Sequence, residues 1–299
     1  MNTNLSVIIL SYNTKELTNN CLSSLIKSLP RNKNFKSEII VVDNGSTDGS
    51  VDQIKNLKLK IKNDNIKLKT IFNKKNLGYP KGNNRALKIA TGKYILFLNS
   101  DVIVDKIEFK KLLSYLESHS DVGVLTVKVT LPDGSVDPAS HRGFPTIWNS
   151  FCYFVGLEEL LRSVPYLNRL FGGYHLVHLN FARTHEVDSV SGAFYLSRID
   201  ILKEIKGFDE AFFMYGEDLD LSFRIKKLGY QVVYYPDYKV THLKHASGLE
   251  KNNIETRKKT KLHFFDAMKI FYRKHYEKNH NKLINNMIYF FIKVLKNIG

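Results

Sequence analysis

Residues 94–102, Tyr-Ile-Leu-Phe-Leu-Asn-Ser-Asp-Val, constrain the fold more than any other stretch of the chain. The run begins with an aromatic and four apolar residues that do not alternate with polar ones, which is typical of a strand buried on both faces of a parallel sheet. It stops abruptly at Asn99, Ser100 and Asp101. Open α/β sheets bind ligands at the carboxyl ends of their strands, so the pattern predicts that Asp101 lies at such an edge.

Asp101 has two interpretations from the residues alone. A carboxylate at a strand's carboxyl end suits a hard divalent cation, Mg²⁺ or Mn²⁺, held against a diphosphate. Alternatively, residues 99–101 cap the next helix, predicted near residues 106–118, because Asn, Ser and Asp are all favoured caps. The sequence leaves both open.

Two earlier apolar runs, residues 5–10 and 38–42, also end in polar loops. A helix is predicted between them, at about residues 15–29. Repeated strand, loop and helix units require right-handed crossovers and a parallel sheet, with the loops on one edge. Asp43 then either accepts hydrogen bonds from a nucleoside or forms an Asx turn, with Asp48 as the cap of the next helix.

A third strand is predicted at residues 68–72, and the loop beyond it has features of an anion site. Pro80 suits the first turn of a helix, and Gly78 permits close backbone approach. Lys81 and Arg85 near a helix amino terminus suit a phosphate. The glycine spacing matches neither a Walker loop nor a dinucleotide fingerprint, so this prediction depends on the helix start and the charges alone.

The second half of the chain departs from this alternation of strands and helices. Residues 122–130 predict a strand, and a turn at residues 132–134 predicts a short returning strand. Residues 147–157 are strongly aromatic but too short to span a bilayer. They either pack over the active-site edge, which we favour, or dip into a membrane interface.

Residues 207–221 carry the strongest chemical signal. Leu221, Ile225 and Leu228 define one face of a predicted helix that Gly229 ends, so Glu217 and Asp218 lie on its first turn. The helix dipole favours their ionised forms, and an ionised carboxylate is what a general base requires at neutral pH. Acidic residues at a helix start also serve stability alone, and the residues do not decide between these roles.

Two further positions could reach the same edge. Gly192, in the strand-like residues 187–196, would let a backbone or ligand approach closely. His242 ends a strand-like stretch and could join Asp101 as a metal ligand, although a single histidine is more often a hydrogen-bonded structural residue.

Charge is concentrated at the carboxyl terminus. Residues 251–299 contain twelve Lys or Arg and three Asp or Glu, within a net charge of +16. From residue 283 the apolar side chains share one helix face, which predicts either an interfacial membrane helix or a helix docked on the domain. A dimer contact is a further alternative. The pI of about 9.6 also suits a nucleic-acid binder, but no nucleic-acid motif supports that interpretation.

Other features restrict the class of protein. Cys21 and Cys152 are far apart and lack metal-binding spacing, so both are expected to be buried reduced thiols. The amino terminus shows no secretion signal, and no apolar run approaches the ~20 residues of a spanning helix. A cytoplasmic protein is therefore expected.

Together, these stretches resemble the family-2 glycosyltransferases of the GT-A fold. The resemblance covers roughly residues 4–250 and is most specific in residues 207–221. Within the family the chain is most similar to the rhamnosyltransferase-like branch, in which Asn-x-Asp often replaces Asp-x-Asp and a Phe-Met-Tyr-Gly-Glu-Asp stretch recurs.

The resemblance implies a Rossmann-like α/β domain with a mostly parallel central sheet flanked by helices. We divide the chain into a GT-A domain at 1–250, with a nucleotide-sugar half at 1–105 and an acceptor half at 106–250. A basic, amphipathic helical tail at 251–299 completes the chain.

The resemblance also implies an inverting transferase that uses a nucleotide-diphosphate sugar and Mg²⁺ or Mn²⁺. Asp218 matches the general base, Asp43 the nucleoside-binding Asp, Asp101 the last residue of the metal triplet and His242 the distal metal ligand. Asn99 departs from the usual first Asp, so the cation has fewer carboxylates and depends more on the donor diphosphate.

The full set of expected site residues is larger. The donor side comprises Ser11, Tyr12, Asn13, Asp43, Gly78, Lys81, Asn84, Asn99, Ser100 and Asp101, and the acceptor side comprises Glu217 and Gly192. The expected donor is dTDP-rhamnose, with UDP-hexoses next, and the expected acceptor is a surface polysaccharide or a polyprenyl-linked glycan at the inner face of the membrane. The rival interpretation is a non-catalytic nucleotide-sugar-binding or membrane scaffold protein. A homo-oligomer is left open.

Overall fold

The computed structural model describes residues 3–60, 65–244 and 254–298. The elements in chain order are β1 (Leu5–Ser11), α1 (Lys15–Ser28), β2 (Ser37–Asp43), α2 (Ser50–Lys60), β3 (Ile66–Phe72), α3 (Tyr79–Leu87), β4 (Tyr94–Asn99), β5 (Val102–Val104), α4 (Phe109–Ser118), β6 (Val122–Thr130), β7 (His141–Arg142), α5 (Ile147–Phe154), α6 (Leu157–Leu160), α7 (Leu167–Phe171), β8 (His185–Val187), β9 (Ser189–Val190), β10 (Phe194–Arg198), α8 (Ile199–Glu204), α9 (Glu217–Lys227), β11 (Gln231–His242), α10 (Ile254–His275) and α11 (Lys282–Ile298). Strands and helices alternate through β4, as the sequence predicts.

A central sheet organises these elements in the strand order β3-β2-β1-β4-β10-β6-β11-β5, with β8 beside β11. Strands β1 to β4 pair in parallel. β10 runs antiparallel to both β4 and β6, and β11 returns parallel to β6. The predicted α/β class, with a mostly parallel central sheet flanked by helices, is confirmed.

The uninterrupted apolar runs are explained by helices on both faces of the sheet. Val7 and Leu96 point into a core formed with α1 and α4. Their neighbours Ile8 and Phe97 point into a second core formed with α3, α8 and α9. Because successive strand residues face opposite sides, burial on both faces requires apolar residues at every position.

Several sequence expectations are corrected. The interpretation of residues 99–101 as a helix cap is wrong, because β5 follows them and α4 begins only at Phe109, after Glu108. The returning strand after the turn at residues 132–134 is reduced to a single bridge between Thr130 and Val136. The stretch at 187–196 is divided between β8, β9 and β10, because it turns at residues 191–193. Cys21 and Cys152 are buried and free, as predicted.

The carboxyl-terminal helices dock on the sheet domain. A third apolar cluster joins Leu219 of α9 to Ala267 and Phe271 of α10. α11 packs on α10, where Ile292 is buried and the Tyr272 hydroxyl donates to Asn285 Oδ1 at 2.7 Å. The expected boundary between residues 250 and 251 lies outside the described residues.

Docking leaves part of the apolar face of α11 uncovered. Leu283, Met287 and Phe290 are 70%, 62% and 69% exposed. In the described part of the chain, no helix combines the length and apolar character needed to cross a bilayer. α11 is therefore docked on the domain, which is one of the two predicted alternatives. It also keeps the exposed apolar residues that the other alternative, an interfacial membrane helix, requires.

Candidate active site

A cavity of about 780 Å³ opens where β4 and β11 end. Six residues predicted from the sequence line it, namely Asn99, Asp101, Gly192, Glu217, Asp218 and His242. They come from the end of β4, the turn before β10, the first turn of α9 and the last residue of β11. The fold therefore brings together residues that are more than 100 positions apart.

Asp101 and His242 form one end of this constellation. His242 Nε2 lies 3.2 Å from Asp101 Oδ1, and the other ring nitrogen, Nδ1, lies 2.9 Å from Asp137 Oδ2. Asp137 is fully buried, and its second oxygen accepts from Lys244 Nζ at 2.6 Å. The imidazole is thus fixed between two carboxylates, and Asp137 sets its orientation.

The charges around His242 bear on its use as a metal ligand. Burial disfavours the imidazolium, but hydrogen bonds to Asp101 and Asp137 outweigh it and raise the pKa of His242 to about 9. A cation at Nε2 must therefore displace a proton, because only the neutral ring has a free lone pair.

An oxygen and an imidazole nitrogen within 3.2 Å are compatible with Mn²⁺ or Mg²⁺. Within residues 3–60, 65–244 and 254–298 there is no group of three or more His, Cys, Asp or Glu side chains that could hold a metal ion. Asp101 and His242 alone would form only part of a coordination shell.

Asp218 forms the other end. It lies on the first turn of α9, whose preceding residue Gly216 has a φ of 73°. Its Oδ2 accepts from Arg142 Nη2 at 2.6 Å, and its Oδ1 accepts from the Leu219 backbone N–H at 2.8 Å. The positive end of the helix dipole and the permanent charge of Arg142 both lie beside this carboxylate. Each oxygen keeps a lone pair for a further donor.

Glu217 differs from its neighbour. Burial and the adjacent Asp218 carboxylate raise the pKa of Glu217. Its Oε2 atom is buried without a hydrogen-bond partner. These surroundings favour the neutral acid, so of the two carboxyl groups Asp218 is the one suited to accept a proton.

Asp220 holds the helix that carries both acids. Its buried carboxylate contacts Arg224 Nε at 2.8 Å, Lys274 Nζ at 2.7 Å and His275 Nε2 at 2.8 Å. Lys274 and His275 lie on α10, so this contact joins the start of α9 to the carboxyl-terminal helices.

Asn99 and Gly192 meet at Tyr79. The Tyr79 hydroxyl donates to Asn99 Oδ1 at 3.1 Å. A Cβ atom on Gly192 would lie 2.4 Å from that hydroxyl, so glycine is required for this close approach.

The remaining donor-side residues lie at the edge formed by the loops after β1 to β4. Asn13 binds the loop after β2, because its backbone N–H donates to Ser46 Oγ at 2.9 Å and its Oδ1 accepts from Thr47 N at 2.8 Å. Ser11 belongs to a buried hydroxyl network with Thr14, and Thr14 contacts Ser100 at 3.3 Å. Tyr12 is 44% exposed.

Asp43 forms the predicted Asx turn, and its predicted contact with a nucleoside stays a prediction. Its Oδ1 accepts from the backbone N–H groups of Gly45 and Ser46, at 3.1 and 2.9 Å, which forms an Asx turn. Its Oδ2 atom is buried without a partner. One oxygen thus shapes the loop, and the other is left to receive a donor.

The predicted anion site is used mostly for internal contacts. The Asn84 amide bonds to both backbone groups of Phe208, and a Cβ on Gly78 would lie 2.6 Å from the Phe213 carbonyl oxygen. Arg85 donates to Asn73. Lys81 is exposed. The structure therefore ties α3 to the segment before α9, and the two cationic residues Lys81 and Arg85 are exposed.

Sequence reasoning missed Arg142, Asp137 and Lys244. A predicted carboxylate at a buried helix start implies a nearby cation, because unpaired buried charges are costly. That signal does not say which of the chain's 45 Lys and Arg residues supplies it.

Comparison with known proteins identifies the family of the chain. Residues 6–175 match Glycosyl transferase family 2, and residues 164–276 match Glycosyl transferase family group 2. An N-acetylglucosaminyl-diphospho-decaprenol L-rhamnosyltransferase of Mycobacterium tuberculosis is 30% identical over 217 residues, which are 70% of this chain and 68% of that protein. Rhamnosyltransferase WbbL of Escherichia coli is 26% identical over 51% of this chain and 53% of its own length.

Solved structures agree on the fold. The mannosyltransferase PcManGT of Pyrobaculum calidifontis, in complex with GDP-Man and Mn²⁺, superposes with a TM-score of 0.60 at 17% identity. The match covers 91% of this chain and 65% of that one, so the present chain spans less than two thirds of its neighbour. The predicted GT-A fold is thereby confirmed. Sequence and fold together show that the chain belongs to glycosyl transferase family 2.

Proposed function

We propose that the protein is an inverting glycosyltransferase that moves a sugar from a nucleotide-diphosphate donor to a glycan hydroxyl. The observation that carries this proposal is the presence of Asp218, paired with Arg142, in the same cavity as Asp101 and His242. We propose dTDP-rhamnose as the first candidate for the donor, since two relatives are named rhamnosyltransferases. UDP-hexoses come next.

In this mechanism Asp218 is the general base. Its carboxylate takes the proton from the acceptor hydroxyl while that oxygen attacks the anomeric carbon. The bond from the anomeric carbon to the nucleoside diphosphate breaks on the opposite face, through an oxocarbenium-like transition state. Arg142 and the Leu219 N–H fix the carboxylate in position, so attack occurs from one direction.

Asp101 and His242 would hold a divalent cation beside the donor diphosphate. When bound, the cation neutralises charge that develops on the leaving group. The Mn²⁺ reported with the Pyrobaculum calidifontis enzyme supports this assignment. Asp137 holds the imidazole in place through Nδ1, so that Nε2 faces Asp101.

The nucleoside is assigned to the edge formed by the loops after β1 and β2. Asp43 Oδ2 is the acceptor we assign to a nucleoside donor group, because it is buried and unpaired. Asn13 ties the two loops together and so fixes the outline of that edge.

We further propose that the protein works at the inner face of the cell membrane. The exposed apolar residues of α11 lie between Lys282 on one side and Lys293 and Lys296 on the other along the chain. Lysines near anionic headgroups contribute about 1 kcal/mol each. Sedimentation with vesicles that contain anionic phospholipid tests this contact, and equal sedimentation of protein with and without vesicles would contradict it.

The activity is tested by transfer of labelled rhamnose from dTDP-rhamnose to a GlcNAc-diphosphate lipid, with Mn²⁺ or with EDTA. The Asp218→Asn enzyme should lose transfer by about 10²- to 10⁴-fold and keep its affinity for the donor. Glu217→Gln is the matched control, because glutamine imitates the neutral acid and should retain most of the rate. The reverse pattern would move the base role to Glu217.

A further inference from the structure

The cavity that contains Asp218 extends beyond the charged site. Beyond the carboxylates it continues between α5 on one side and α10 and α11 on the other. The walls of this second part are apolar and include Phe151, Phe154, Met268, Met287 and Phe291. We call this part the apolar channel.

The apolar channel is open to the surface. Phe151 and Met287, on opposite walls, are 45% and 62% exposed. The ring centroids of Phe154 and Phe291 lie 6.1 Å apart where the walls meet. Asp218 lines the same cavity, so a hydrocarbon chain bound between these walls would share that cavity with its carboxylate.

The inner end of the channel carries charges of both signs, because Arg142 pairs with Asp218 and Lys244 pairs with Asp137. Arg142 and Lys244 both line the cavity. A charged, polar end beside apolar walls suits an amphiphilic ligand, with a hydrocarbon chain and a polar head of diphosphate and sugar. A protein segment would require many hydrogen-bonding partners for its backbone, whereas most of the wall side chains are apolar.

We propose that the apolar channel binds the isoprenoid chain of a lipid-diphosphate acceptor and so positions the acceptor sugar at Asp218. This inference rests on the proposed function and deepens it, because it selects a lipid-linked acceptor over a free polysaccharide. The relative from Mycobacterium tuberculosis, whose name includes a diphospho-decaprenol, is consistent with this chemistry.

The test measures binding of radiolabelled farnesyl diphosphate to the full chain by equilibrium dialysis, with inorganic diphosphate as the chain-free probe. Met287→Glu and Phe151→Glu each place a charge on one wall of the channel. Each should weaken farnesyl diphosphate binding by about tenfold or more, which is equivalent to about 1.4 kcal/mol. Binding of inorganic diphosphate should not change.

Matched controls lie outside the channel. Leu283→Glu on α11 and Val155→Glu after α5 replace residues that are 70% and 49% exposed and do not line the cavity. Both should bind farnesyl diphosphate as the unchanged protein does. Equal weakening in the controls, or no weakening in the channel variants, would overturn the proposal.

Donor binding separates this inference from the proposed function. Thermal stabilisation by dTDP-rhamnose with Mn²⁺ should be the same in all four variants, which also shows that they are folded. A protein that binds farnesyl diphosphate through the channel but binds no nucleotide sugar would refute the proposed function alone. If the protein transfers rhamnose but Met287→Glu and Phe151→Glu bind farnesyl diphosphate as the unchanged protein does, only the proposed role of the apolar channel is refuted.

Discussion

Asp101 and Asp218 are both carboxylates in one cavity, yet their partners differ in kind. Asp101 faces His242, which lies between two carboxylates, whereas Asp218 faces Arg142. Histidine can give up its proton, and arginine does not do so in proteins. The His242 side chain can therefore release a proton, while the Asp218 region keeps a permanent ion pair. This difference in partners is the basis for our proposed division between a cation site at Asp101 and a base site at Asp218.

Replacing Arg142 should remove this difference most directly. In Arg142→Met the buried Asp218 carboxylate loses its counter-charge, so we expect the free energy of unfolding to fall by about 3–5 kcal/mol, together with loss of transfer. Urea unfolding and the rhamnose transfer assay measure the two effects. Arg142→Lys keeps the charge and should recover part of the stability. Full activity in Arg142→Met would show that Asp218 needs no fixed partner.

Replacing Asp137 should affect only the Asp101 region. Asp137→Asn removes the carboxylate that orients His242. We expect the Mn²⁺ concentration for half-maximal transfer to rise by about 10- to 100-fold. A Mn²⁺ titration of transfer provides the measurement. Asp133→Asn, in the exposed turn after β6, is the control. An unchanged Mn²⁺ requirement in Asp137→Asn would argue against His242 as a ligand.

Asp220 provides a test of the scaffold behind Asp218. Burial opposes its charge, but the contacts with His275, Arg224 and Lys274 outweigh burial and lower the pKa of Asp220 to about 2. Because this folded-state pKa is below the unfolded value of about 3.9, the contribution to stability is present above pH ~4 and is lost as pH falls towards ~2.

Asp220→Asn should therefore cost about 2 kcal/mol near neutral pH and progressively less below pH ~4, as measured by urea unfolding at several pH values. Asp209→Asn is the control, since Asp209 shares Lys274 but its side chain is 29% exposed. An Asp220→Asn deficit that does not shrink in acid would mean that packing, not charge, joins α9 to α10.

Asn99→Asp should produce the smallest change. The new carboxylate keeps an acceptor for the Tyr79 hydroxyl and adds negative charge beside Asp101. We expect Mn²⁺ to bind a few-fold more tightly without donor, within about 1 kcal/mol, as measured by calorimetry. Weaker Mn²⁺ binding would show that Asn99 faces away from the cation.

The sequence predicted the edge of the sheet better than the contacts at that edge. An apolar run followed by Asn-Ser-Asp identifies the end of β4, because burial on both faces leaves no polar position inside the strand. Glu217 and Asp218 were placed correctly on the first turn of α9, since its apolar spacing and Gly229 define that helix.

Arg142 and Asp137 were missed because their importance arises from long-range pairing. β7 brings Arg142 to the site by pairing with β9, and β11 brings His242 to Asp137. At Gly78 the sequence is informative about the backbone but not about its neighbour. The sequence shows that close approach is permitted there but not that the approaching group is Phe213.

The most direct test compares donor binding in two variants of the same cavity. Thermal stabilisation by dTDP-rhamnose is measured with and without Mn²⁺ for the unchanged protein, Asp101→Asn and Asp218→Asn. We expect Asp101→Asn to lose the Mn²⁺-dependent part of the stabilisation, and Asp218→Asn to keep all of it while failing to transfer rhamnose. If Asp218→Asn lost this stabilisation, or if Asp101→Asn kept it, the division between a cation site and a base site would be contradicted.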